Sequence, residues 1–230
     1  MRESAVALVL LVAVAGCGSS GSTSSPKTDQ QLADAAVLRQ EDVPASFVRP
    51  SSSSSSASPG EDAAEAALDD CLVRSAGFSA EDLRKSRTAK ALAKFKNSAV
   101  ELEGEVEFYK TAEVVQQQID LANQDAAIQC FSDAVKVGLV QRGIAVASAT
   151  SAPRPSAPDV GDRSSAFSLM FNATVNQQGV TIQITNYMAK KGRALVSFSV
   201  TTGTAAGVTT TGVDSSIVLS AMETMTSRVP

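Results

Sequence analysis

The sequence predicts an α+β domain in which an antiparallel sheet of about five to six strands packs against helices. Two patterns carry this prediction. Strands of alternating polar and apolar residues follow one another through the C-terminal half, and helices with a single apolar stripe occupy the N-terminal half. Beyond a predicted leader, the chain is long enough for one domain with its own core, which we place at residues 30–230.

The N-terminus has the form of a bacterial lipoprotein signal. Arg2 precedes an uncharged run from Ala5 to Ala15, and small residues stand directly before Cys17. The run is too short to span a bilayer, which takes about 20 residues. An ordinary secretory leader would leave Cys17 as an unpaired exported thiol. We therefore predict a signal peptide at residues 1–16, lipidation of Cys17 on the extracytoplasmic face of the cell membrane, and a flexible tether over residues 17–29.

The composition excludes several classes of function. The chain has no histidine and no tryptophan, and its net charge is −4. Without histidine it has no Ser-His-Asp triad, no Cys-His pair and no histidine ligand for zinc. The negative charge argues against a nucleic-acid partner. We predict no catalytic residue, no metal site and no cofactor.

Three helices are predicted in the N-terminal half from apolar residues at steps of three or four. They cover Gln30–Arg39, Glu61–Ser75 and Thr111–Val137. The second and third each turn one cysteine inward, Cys71 and Cys130. In an oxidising compartment this pair is predicted to form a disulfide, worth on the order of 4 kcal/mol. The alternatives are two buried free thiols or a redox pair, although no Cys-x-x-Cys spacing supports the latter.

A basic run precedes an acidic strand between the second and third helices. A capping pattern at Ser79 predicts a short helix that continues into Lys90. The strand that follows places four glutamates on one face: Glu101, Glu103, Glu105 and Glu107. We favour a solvated strand face over a cation site, because side chains in a row do not converge on one point. For the basic run we favour a soluble helix face over contact with anionic lipids; its members are Arg84, Lys85, Arg87, Lys90, Lys94 and Lys96.

The C-terminal half is predicted to form an antiparallel meander followed by a helix. A short strand, Ile144–Ala149, leads into a Pro-rich loop from Ser151 to Pro158. Turns at Gln177-Gln178-Gly179 and Lys190-Lys191-Gly192 then separate three strands of alternating character. Asp214 caps the last helix, whose methionines we interpret as core residues.

The order of certain segments carries a resemblance to a known family. These segments are Asp42-Val43-Pro44, the helices with Cys71 and Cys130, Val160-Gly161-Asp162-Arg163-Ser164, and Ser227-Arg228-Val229. Together they resemble actinobacterial cell-envelope lipoproteins related to the PknH-like extracellular sensor domain, and more distantly the Mog1/PsbP-like sandwich. That sensor pattern has two disulfides and a tryptophan, whereas this chain has one predicted disulfide and no tryptophan. The resemblance implies a location and a fold, and it carries over no ligand cleft and no catalytic residue.

Three hypotheses for the function follow. The first is a non-enzymatic binding or sensing module, anchored to the membrane through Cys17. It would bind an envelope ligand or protein of unknown identity between its sheet and helices, or at the loop from Ser151 to Asp162. The second is a lipid or glycolipid carrier, which needs a large apolar hollow. The third is an enzyme using paired acids, for which Asp159, Asp162 and the glutamate row are candidates. We favour the first.

Overall fold

One open antiparallel sheet organises the protein. The computed structural model describes residues 27–50, 59–98, 100–205 and 213–230. The strands are β1 (Arg87–Lys96), β2 (Val100–Tyr109), β3 (Ala145–Ser151), β4 (Arg163–Val175), β5 (Gln178–Lys191) and β6 (Ala194–Ala205). Their order across the sheet is β1-β2-β6-β5-β4-β3. The predicted α+β class is confirmed, whereas Cys17, the signal peptide and the tether up to residue 26 lie outside the described residues.

Helices flank the sheet. They are α1 (Asp29–Ala36), α2 (Pro59–Ala76), α3 (Ala80–Ser86), α4 (Ala112–Leu121), α5 (Asp125–Gln141) and α6 (Ser215–Arg228), with one turn of 3-10 helix at Gln40–Asp42. Asp214 caps α6 as predicted, since its carboxylate accepts a hydrogen bond from the backbone N–H of Ser216 at 2.9 Å. Within the described ranges, no helix combines the length and the hydropathy needed to cross a membrane.

α1 and α6 cover one face of the sheet. The alternation in β2 turns Val100, Leu102, Val106 and Phe108 toward these helices, and all four are buried. Gly104 occupies the remaining inward position of this strand. A Cβ at Gly104 would lie 2.5 Å from the Cβ of Leu38, so the absence of a side chain lets the segment after α1 cross the sheet closely.

α4 and α5 cover the opposite face. Phe167, Leu169 and Phe171 of β4 are buried there, and the ring of Phe131 in α5 stacks on Phe167 with centroids 5.6 Å apart. α2 packs against α5. A disulfide joins the two helices through Cys71 and Cys130, as the sequence predicts, with their Cα atoms 5.5 Å apart.

The predicted long helix over Thr111–Val137 is wrong in one respect, because the chain forms two helices. The break lies at Ala122–Gln124, where the Asn123 side chain donates to the carbonyl of Ile119 at 2.9 Å. The apolar spacing continues across the break since α4 and α5 both pack on the same face of the sheet. The apolar periodicity of the sequence therefore shows which face is buried, but it does not show where α4 ends and α5 begins.

The helix predicted to continue from Ser79 into Lys90 is also wrong beyond Ser86. It ends there, and the edge strand β1 begins at Arg87. Small residues at every second position face the core, whereas lysines occupy the other face. An alanine-rich sequence can form either a helix or a strand, and the pairing of β1 with β2 favours the strand.

The basic run and the glutamate row face each other across β1 and β2. Lys94 pairs with Glu103 at 2.6 Å, and Lys90 pairs with Glu105 at 2.9 Å. Glu107 contacts Arg87, and only 8% of its side chain is exposed. The expectation of a solvated acidic face is therefore wrong at Glu105 and Glu107, whose side chains are 20% and 8% exposed, and the helix expected at Lys90 and Lys94 is a strand. The strand register makes the two rows cross-strand neighbours of opposite charge.

Two of the segments noted in the sequence meet in the fold. The Arg228 guanidinium donates to both carboxylate oxygens of Asp42, at 2.6 and 2.7 Å. This bidentate pair ties α6 to the 3-10 turn after α1. Elsewhere the Asp162 carboxylate accepts from the Gly192 N–H at 2.7 Å, which holds the β5–β6 turn.

Candidate functional site

A proline-rich segment separates two cavities at the β3 side of the sheet. It runs from Ala152 to Pro158, and its prolines restrict φ to about −65°, which favours an extended chain. Successive residues therefore face opposite sides. Ala152 and Arg154 line a cavity beside α5, whereas Pro153 and Pro155 line another on the opposite face of the sheet.

The cavity beside α5 has a volume of about 380 Å³, and we refer to it as the α5 cavity. One face of the helix supplies the positions i, i+3, i+4 and i+7. These residues are Asp125, Ile128, Gln129 and Ser132. Phe167 and Leu169 of β4 add apolar surface. The rest of the wall consists of Ser151, Ala152, Arg154 and Ser168. The cavity thus lies between sheet and helix at the loop that the sequence analysis singled out.

Ser132 provides a polar group that is not satisfied within the protein. The residue is 2% exposed, and its Oγ has no hydrogen-bond partner among the described residues. An unsatisfied buried hydroxyl costs about 1–3 kcal/mol. Ser132 lines the α5 cavity, but its Oγ is enclosed by protein, and Gln118 Nε2 and Thr226 Oγ1 are likewise buried without a partner among the described residues.

A salt bridge forms part of the wall of the α5 cavity. Nη2 of Arg154 lies 2.8 Å from Oδ1 of Asp125 and also donates to the carbonyl oxygen of Asn123 at 2.9 Å. The Asn123 side chain in turn accepts from the Ser165 hydroxyl of β4 at 3.0 Å. The break between α4 and α5 therefore positions this wall, because it presents Asn123 to both the loop and the sheet.

The cavity on the opposite face differs in its polar groups. Its volume is about 200 Å³, and Ser168, Gln183 and Thr185 contribute to its lining. The hydroxyls of Ser168 and Thr185 are 3.0 Å apart, and the Gln183 amide donates to Ser168 at 3.1 Å. These groups satisfy one another. The α5 cavity is the larger of the two and lies between the sheet and a helix, so it is the better candidate of the pair for ligand binding.

A buried acidic cluster lies at the end of the glutamate row. Burial raises the pKa of Glu105 to about 7, and the neighbouring Glu107 adds to the shift. Burial also acts to raise the pKa of Glu107, but the hydrogen bond from Tyr109 and the charges of Lys90 and Arg87 outweigh it and lower that pKa. Among the described residues, no group of three or more histidine, cysteine or acidic side chains is arranged to hold a metal ion.

Most of the acids considered for an enzyme have structural partners. Asp162 holds a turn, Glu103 and Glu105 pair with lysines, and Asp159 is exposed in the loop. The Pro-rich loop indicated the region of the α5 cavity from the sequence, but no pattern indicated the residues of α5 that line it. Ser132 and Arg154 lie 22 positions apart on a helix and a loop, and neither belongs to a recognisable motif.

Comparison with known proteins identifies no family for this chain and finds a distant structural similarity. No family model matches the chain, and no curated protein matches it. Among solved structures, the chain is similar to the extracellular domain of PknH from Mycobacterium tuberculosis, with 13% identity and a TM-score of 0.35 over 82% of this chain and 97% of that one. A similarity at this level carries no argument about the site, so the case for function rests on the residues themselves.

Proposed function

We propose that this protein is a non-enzymatic binding module, lipid-anchored on the extracytoplasmic face of the cell membrane, that takes a small ligand into the α5 cavity. The α5 cavity carries the proposal, because it is a hollow of about 380 Å³ between a helix and the sheet whose lining combines apolar and polar side chains, as the lining of small-molecule sites does. The absence of histidine from the sequence and the structural partners of Asp162, Glu103 and Glu105 support a role without catalysis.

The cysteines support the location. Cys71 and Cys130 are joined in a disulfide, a bond that persists in oxidising compartments. This pairing leaves Cys17 as the one remaining cysteine of the three in the sequence. Cys17 follows an apolar run in the form of a lipoprotein signal, and its acylation accounts for the odd cysteine.

Metabolic labelling with a radioactive fatty acid tests the anchor. The wild-type chain should incorporate label and fractionate with membranes, and Cys17→Ala should do neither. Ser24→Ala serves as the matched control, because it changes a residue of the predicted tether without touching the acceptor or the disulfide and should keep the label. Equal labelling of wild type and Cys17→Ala would contradict the anchor.

Native mass spectrometry tests the binding module. The full chain is purified from an actinobacterial host in a polyoxyethylene ether detergent and measured before and after incubation with a small-molecule extract of that host's envelope. We expect a one-to-one adduct of small-molecule mass that Gln129→Trp weakens, because this exposed position of α5 lines the cavity and a larger side chain there would fill part of it. A lipid-sized adduct would instead favour the carrier hypothesis, and a chain that stays free of any adduct in both measurements would contradict binding.

A further inference from the structure

We draw no further inference here: the strongest candidate, the outer edge of the sheet at β3 (Ala145–Ser151), is an uncharged strand edge that pairs with β4 alone, and nothing among the described residues shows what would cover it.

Discussion

Removing the disulfide between Cys71 and Cys130 should destabilise the protein strongly. The bond closes a loop with a sequence separation of 59. In the chain-entropy model, opening a loop of this length releases about 14 cal/mol/K in the unfolded chain, or about 4 kcal/mol at 25 °C. For a domain of this size, each kcal/mol lowers the melting temperature by about 2–4 °C. We therefore expect a fall of about 8–16 °C.

Thermal unfolding followed by circular dichroism measures this loss in three variants of the full chain. Either Cys71→Ala or Cys130→Ala abolishes the bond, so each single variant should lose about as much stability as the double variant. Two independent thiols would instead give additive losses. Additive losses of stability in the double variant would refute the reasoning. A loss of stability below about 1 kcal/mol would also refute it, because the chain-entropy model gives about 4 kcal/mol.

Three further perturbations test the packing and the charges. Gly104→Ala should cost about 1–3 kcal/mol in urea unfolding, because the new Cβ would lie 2.5 Å from that of Leu38; an unchanged midpoint would contradict this packing. Arg228→Ala should cost about 2–3 kcal/mol, since it strips the nearly buried Asp42 carboxylate of a bidentate donor, and adding Asp42→Asn should recover part of that loss. Burial raises the pKa of Glu105 to about 7, so between about pH 4.3 and 7 the folded state keeps a proton that the unfolded chain has released, and stability falls as the pH rises through this window. Glu105→Gln should flatten this part of the curve of melting temperature against pH, and an unaltered slope would argue against a protonated Glu105.

The sequence alone determined the features that depend on local pattern. The period of two in β2 and in the C-terminal meander predicted strands, and the apolar spacing around Cys71 and Cys130 predicted helices that turn both residues inward. Asp214 predicted the start of α6, since a capping carboxylate accepts hydrogen bonds from N–H groups only two or three residues away. These signals are readable because the interactions behind them join near neighbours.

Tertiary structure decided the rest. The apolar pattern across Ala122–Gln124 was the same for one helix or two, and only packing against the sheet placed the break that positions Asn123. The alanines and lysines of Lys90–Lys96 are compatible with a helix. Only the pairing of β1 with β2 places this segment in a strand, where opposite charges lie side by side. The α5 cavity depends on this kind of assembly, because Ser132 and Arg154 come from a helix and a loop that meet only after the sheet has formed. Periodicity reports which face of an element is apolar, whereas the partner that covers that face is a property of the whole fold.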